Sequence, residues 1–203
     1  MQKIDFKKEL KLLYKPSPKK VEIVDVPVMN FLMIDGMGDP NVSQEFKDAV
    51  EALFAFAYRI KFSIKKSEKA IDYSVMPLEG LWWADDMSKF SVEDKSSWKW
   101  TLMIMQPEFV SDELVKQCTD ELKLKKDLFA LSKIRFQSFE EGKAAQIMHI
   151  GPFSEEGPTV ERVHQFIEEN NSENRGKHHE IYLSDIRRGN PANWKTVIRQ
   201  PME

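Results

Sequence analysis

His178, His179 and Glu180 stand side by side in the stretch "GKHHEIYLSD". These residue types either ligate a divalent metal or exchange protons with a substrate. The apolar alternation that follows predicts a strand. Successive strand side chains point to opposite faces, so His178 and His179 cannot both reach one ion. His178 and Glu180 do share a face, but a zinc site needs at least three protein ligands. His149 and His164 fall on a different predicted strand and helix, and no HExxH pattern occurs. The sequence therefore predicts no metal site. What remains is Glu180, with the parity of His178, Tyr182 and Ser184. Ile181 and Leu183 point the other way, and their apolar side is expected to pack on helices. Glu180 and Tyr182 would then face a cleft or solvent. An exposed strand carboxylate is ordinary, and parity alone does not choose between the two.

The aromatic supply favours the cleft. Five tryptophans occur, Trp82, Trp83, Trp98, Trp100 and Trp194, four of them in one short region. Each could be core, but flat aromatic faces near a sheet also line ligand pockets. A carboxylate walled by Trp and Tyr is partly desolvated and serves as a counter-charge or general base. The same faces attract cations or stack on flat ligands. Strand parity puts Trp98 and Trp100 on one face and Trp82 and Trp83 on opposite faces, so one of the latter pair is expected in the core. Nucleophilic chemistry is poorly supplied. Cys118 lies on the apolar face of a predicted helix, where a buried inert thiol is the default. Neither a G-x-S-x-G elbow nor a GxxxxGK[ST] loop is present. "GMGDPN" is better explained as a strand-to-helix turn, where glycine permits φ > 0. No cofactor is implied.

Whole-chain numbers limit the partners. The chain has 203 residues, 41% hydrophobic and 31% charged, enough for one large domain or two fused halves. A net charge of −3 argues against a nucleic-acid partner, which requires concentrated positive charge. No apolar run approaches the ~18–20 residues of a membrane span, and the charged N-terminus lacks a secretory h-region. A single cysteine fits the reducing cytoplasm.

The elements that must position Glu180 repeat along the chain. Residues 1–20 read as an N-terminal arm with a stiff "YKPSPKK" connector. In the first half, about residues 21–107, "VEIVDV" and "NFLMIDG" read as a first hairpin, with a break at Pro27. Asn41 and Gln44 resemble a capping box. Phe46, Ala49, Val50, Leu53, Ala57 and Ile60 mark a long amphipathic helix. "AIDYSVMPLEGLWW" and "SWKWTLMIMQP" are β-like and joined by a polar loop over 84–97. A linking helix carries Leu114, Val115, Cys118 and Leu122. The second half, about 108–203, repeats the order. "KIRFQSF" and "AAQIMHIG" read as a hairpin turning at "EEGK". "PTVERVHQFIEEN" is a helix with Pro158 in its first turn, and "HHEIYLSD" and "WKTVIRQP" are strands. Gly36 and Gly151 occupy equivalent places, and "WTLMIMQP" aligns ungapped with "WKTVIRQP". The expected fold is α+β, a pseudo-twofold duplication of a strand–helix–strand–strand unit with antiparallel sheets and a central ligand cleft.

The stretches "VPVMNFLMIDGMGDPN", "YSVMPLEGLWW", "IGPFSEEGPTVERVHQFIEEN" and "HHEIYLSD" resemble the GyrI-like small-molecule-binding family, in the right order from about Val21 to the C-terminus. The second half is similar to the effector-binding domain of the multidrug-sensing regulator BmrR. The resemblance implies a ligand cleft with a strand glutamate at its floor for cationic aromatic ligands, the motif position that Glu180 matches. No helix-turn-helix or coiled-coil module precedes the matching region. The tryptophan-rich "LEGLWW" and "SWKW" look most like the stand-alone cyclopropanoid hydrolase subgroup, which opens the cyclopropane of DNA-alkylating natural products of the yatakemycin and CC-1065 type. That resemblance implies detoxification. Glu180 would activate water, and a tyrosine would stabilise the developing oxyanion. Tyr73 is the candidate, from the likeness of "DYSV" to "EIYL", and Tyr182 is the runner-up. Trp82, Trp83, Trp98, Trp100, Tyr182 and Trp194 would bind ligand. The alternative is a non-catalytic multidrug-binding protein, or a gyrase-inhibitor-like protein with gyrase as partner.

Overall fold

The computed structural model describes residues 2–85, 95–125, 128–185 and 189–203. Most of the polar loop expected over 84–97 lies outside them. The fold is α+β, with antiparallel strand pairing apart from one short parallel pair. The first half runs β2 (Glu22–Val26), β3 (Met29–Met37), α3 (Gln44–Lys66), a short β4 (Ile71–Tyr73), β5 (Leu78–Trp83) and β6 (Lys99–Gln106). After α4 (Asp112–Lys125), the second half runs β7 (Arg135–Phe139), β8 (Gly142–Ile150), α5 (Gly157–Glu169), β9 (His178–Tyr182) and β10 (Lys195–Pro201). The expected arm holds β1 (Gln2–Ile4), α1 (Phe6–Glu9) and α2 (Lys11–Tyr14).

Neither expected hairpin forms. β2 pairs with β8, from Glu22↔Gln146 to Val26↔Gly142, while β7 pairs with β3, from Met29↔Phe139 to Met33↔Arg135. The reason is local. Tight two-residue hairpins need positive φ in the connection. Pro27 fixes φ near −65°, and at "EEGK" the positive φ falls on Gly142, the first residue of β8, and not on Glu140 or Glu141. Each first strand therefore runs on and pairs in the other sequence half.

Two compact units result. One comprises Met1–Phe6, Met29–Met76 and Trp83–Phe139, the other Lys7–Val28, Pro77–Trp82 and Glu140–Glu203. In the first, β3 lies between β6 and β7. The helix α3 covers β3 and β6 with a buried stripe of Ala49, Leu53, Phe56, Ala57 and Ile60, the period that the sequence predicts. Its N-cap is Ser43, whose Oγ accepts from the Phe46 N–H at 3.2 Å, and not Asn41, which bonds back to Asp39. In the second unit the strand order is β2-β8-β10-β9-β5. The helix α5, with Pro158 in its first turn, packs on β8 and β10 over Ala145, Ile147, Val163, Ile167, Ile198 and Met202.

Strand register carries the duplication. Gly36 pairs with Trp100 in β3–β6, and Asn30 with Gln106. In β8–β10, Ala145 pairs with Gln200, and one step beyond Ile150↔Lys195 the Gly151 N–H donates to the Trp194 carbonyl at 3.0 Å. The two strand pairs thus place Gly opposite Trp at one end and Gln six residues along.

Candidate functional site

β9 is a central strand of its unit, and its alternation sorts chemistry onto two faces. Glu180 sits between Gly80 of β5 and Ile198 of β10, His178 opposite Trp82, and Tyr182 between Leu78 and Thr196. Directly paired residues share a face, and Ile198 belongs to the core beneath α5. Glu180 therefore lies on the helix-bearing face, contrary to the expectation that Ile181 and Leu183 would mark it. The apolar cue misled because the reverse face buries ions as well as Ile181.

The Glu180 side chain is 17% exposed and is gripped at both oxygens. The Tyr182 hydroxyl donates to Oε2 at 2.8 Å, and His178 Nε2 lies 3.2 Å from Oε1. The Trp82 indole N–H donates to the Tyr182 hydroxyl oxygen at 3.0 Å. Because an indole N–H only donates, the single Tyr182 proton must point at Glu180. Burial, then the Glu180 and Glu156 carboxylates, hold the Tyr182 hydroxyl well above its usual range, so it stays protonated. Gly80 makes the arrangement possible: a Cβ there would stand 2.7 Å from Trp82 Nε1 and 3.1 Å from the Tyr182 oxygen. Phe153 closes one side, edge-on to Tyr182 with centroids 5.6 Å apart and tilted against Trp194 at 5.3 Å. A partly desolvated carboxylate, two fixed partners and an aromatic wall suit water activation or a fixed counter-charge for a flat ligand.

The reverse face of β9 carries His179 in a fully buried ionic network. Its Nδ1 lies 2.8 Å from Glu141 Oε1 and its Nε2 lies 3.0 Å from Glu79 Oε2. Both ring nitrogens face carboxylate oxygens, so both must donate and the imidazole is a cation. Arg199 supplies the second positive charge, at 3.0 Å from Glu141 Oε2, and also holds Gln146 and the Leu13 carbonyl. The Tyr14 hydroxyl donates to Glu79 Oε1 at 2.7 Å. Two carboxylates against two cations leave the cluster neutral, the condition under which buried charge is tolerated. Burial alone would lower the His179 pKa, but Glu141 and Glu79 lift it to about 9. Burial would likewise raise Glu141, yet the charges of His179 and Arg199 hold it at about 2. Among the described residues, no group of three His, Cys, Asp or Glu side chains is placed to hold a metal ion.

Of the residues singled out in the sequence, the structure brings together Glu180, Tyr182, Trp82 and Trp194, with Phe153 linking the last to Tyr182. Tyr73, Trp83, Trp98 and Trp100 fall in the other compact unit. Tyr73 does not occupy the place in the first half that Glu180 and Tyr182 hold in the second: "DYSV" begins in β4, which pairs in parallel with β1, whereas β5 is the strand that pairs with β9. Tyr73 is buried between Phe6 and Phe109, and its hydroxyl has no hydrogen-bond partner among the described residues. Trp100 is fully buried, edge-on to Phe46 and laid across Gly36, where a Cβ would fall inside its ring. It is a core residue and not a ligand wall. Trp98 is buried under Lys95, whose Nζ stands 4.9 Å from the ring centroid, and Trp83 is half-buried. Sequence reasoning missed Gly80 and Phe153 and gave His178 no role of its own. Only the parity of His178 with Glu180 signalled any of them.

The chain as a whole has counterparts among known proteins. The GyrI-like small molecule binding domain family matches residues 19–202. An uncharacterized conserved protein from Listeria innocua is 44% identical, with a TM-score of 0.91 over 98% of this chain and 100% of that one. A hydrolase from Listeria innocua is 43% identical, with a TM-score of 0.89 over the whole of both chains. The EcmrR C-terminal domain shares the fold at 13% identity, with a TM-score of 0.57 over 91% of this chain and 97% of that one. No curated protein matches the sequence. Among the described residues no helix is long and apolar enough to cross a membrane.

Proposed function

From the premise that the chain belongs to the GyrI-like small-molecule-binding family, we propose that it is a cofactor-independent hydrolase of flat, strained electrophiles. The substrate class is the cyclopropanoid DNA-alkylating compounds of the yatakemycin and CC-1065 type, and the role is cytoplasmic detoxification. The observation that carries this reading is the Glu180 carboxylate held by Tyr182 and His178 beside Trp82. A 43% identical hydrolase supports it.

In the proposed step a water oxygen bonds to the cyclopropane methylene while its proton passes to Glu180. The ring C–C bond breaks, and its electron pair moves through the conjugated system onto the carbonyl oxygen. The resulting oxyanion takes a proton from solvent, so the net change is addition of one water. The one Tyr182 proton is committed to Glu180, which makes Tyr182 a positioning residue and not the donor to that oxyanion. Phe153 and Trp194 supply the faces against which a flat substrate stacks, while the buried Trp82 fixes the Tyr182 proton.

The test is mass spectrometry of a yatakemycin-type compound incubated with a catalytic amount of protein. Product heavier by one water, formed over many turnovers and lost in Glu180→Gln, is expected. Wild-type turnover by Glu180→Gln rules the base out. A binding-only role, as multidrug-binding or gyrase-inhibiting protein, is favoured by the double grip on Glu180, which also suits a fixed negative charge. It predicts stoichiometric quenching of tryptophan fluorescence by flat cations with no turnover.

A further inference from the structure

Glu180 has two partners of different chemistry, and they do different work. The Oε2 side is fixed, because Trp82 forces the Tyr182 proton toward it and Tyr182 keeps that proton. The Oε1 side meets His178 Nε2 at 3.2 Å. Facing an ionised carboxylate, a neutral imidazole must present Nε2–H, since two lone pairs would repel. The lone pair is then on His178 Nδ1, which has no hydrogen-bond partner among the described residues. In that state Glu180 is held in place yet remains an anion able to take a proton. If Nδ1 takes a proton, an imidazolium faces the carboxylate, and the ion pair lowers its affinity for the proton of water.

We propose that His178 is a positioning residue that governs Glu180. Its neutral Nε2–H holds Oε1 in place for water activation, and its protonated form locks the carboxylate into an ion pair and switches the base off. This rests on the reading of Glu180 as the base.

Several titratable groups surround the pair. On β9 these are Glu180 itself and Tyr182, with Glu156, at the start of α5, acting on Tyr182. From β5 the paired positions are Gly80 and Trp82, neither of which titrates. From α5 comes His164, which burial and then His178 push down, while the Gln200 side chain, Glu168 and Glu161 act the other way.

The test follows consumption of a spirocyclopropyl-cyclohexadienone compound against pH by wild type, His178→Gln, His178→Ala and Glu180→Gln. Gln keeps an N–H donor and cannot titrate. His178→Gln is expected to retain turnover at pH 8 to within about threefold and to move the acid limb of kcat/KM down by about one pH unit or more. His178→Ala is expected to lose about tenfold at pH 8. An unchanged acid limb in His178→Gln overturns the proposal. If Glu180→Gln is dead while that limb is unchanged, only the role of His178 fails. If Glu180→Gln is fully active, the reading of the base fails first. A readout independent of turnover is the His178 Nε2–H proton in 15N–1H spectra. It should be protected from exchange at pH 8 in wild type and unprotected in Glu180→Gln, and its absence in wild type also overturns the proposal.

Discussion

Raising the pH from 6.5 to 9 should weaken the fold, and the loss can be worked out from one buried residue. His179 holds its proton to about 9, against the ordinary 6.5, because Glu141 and Glu79 outweigh its burial. The folded chain therefore binds that proton more tightly than the unfolded chain. The resulting stability is complete below 6.5 and is lost as the pH climbs through about 9. At about 1.4 kcal/mol per pH unit, the difference amounts to roughly 3 kcal/mol. With a urea m-value on the order of 2 kcal/mol/M, the unfolding midpoint should fall by about 1.5 M. The other shifted groups leave this window clear. His164 is pushed down and acts below 6.5, Glu141 and Asp72 act below the usual carboxylate range, and Tyr14, Tyr73 and Tyr182 are raised above 10. Urea unfolding followed by far-UV circular dichroism at half-unit pH steps reads the slope directly. A flat or rising midpoint between 6.5 and 9 would show that His179 is not held as a cation between the two carboxylates. Glu141→Gln removes the stronger of the two lifting charges, so the slope should shrink. The same change should cost about 3–5 kcal/mol at pH 7, because it leaves buried cations without compensation.

Gly80→Ala should drive Trp82 off Tyr182, since the new Cβ stands 2.7 Å from the indole nitrogen. Turnover at Glu180 is expected to fall about tenfold with a stability cost of about 1–3 kcal/mol, both measurable on one preparation. Tyr182→Phe removes the hydroxyl between Trp82 and Glu180. It should cost about 1–3 kcal/mol in thermal unfolding, because it strands a buried indole N–H. Gly36→Ala should destabilise the other unit by about 1–3 kcal/mol or prevent folding, because the methyl would sit inside the Trp100 ring. Chemical unfolding decides this, and an unchanged midpoint would mean that Trp100 has room to move.

Much of the fold could be read from periodicity because burial imposes it. The stripe of α3 and the alternation of β9 are visible in the letters, as is the equivalence of Gly36 with Gly151. Pairing partners were not visible, and the reason is geometric. Alternation says that "VEIVDV" and "KIRFQSF" are strands but carries no address. The default is to pair each with its sequence neighbour. Pro27 argued against that pairing, since a two-residue link holding proline lacks the positive φ of a tight hairpin. That His178, Glu180 and Tyr182 share a face was legible from parity, but which face it is was not. Trp100 was not separable from Trp82, because a tryptophan carries the same apolar signal in a core and in a pocket. Only the neighbours differ: Gly36 and Phe46 for one, a hydroxyl for the other.

The alternation of β9 also explains why two adjacent histidines came to look like a metal signature. They are neighbours in the chain but sit on opposite faces, in environments that ask opposite things of an imidazole. His179 is sealed between two carboxylates, so it is a cation and carries no lone pair to offer an ion. His178 meets a single carboxylate at one nitrogen and keeps the other for a proton. The first ties β9 to β5 through Glu79 and to β10 through Glu141 and Arg199. Those are the two strands that flank Glu180 on the front. A substitution behind the strand, at Glu79 or Glu141, would therefore shift Gly80 or Ile198 against Glu180 as well as lower stability. Loss of activity in such a variant has to be read beside its unfolding midpoint before any of these residues is assigned a part in the chemistry.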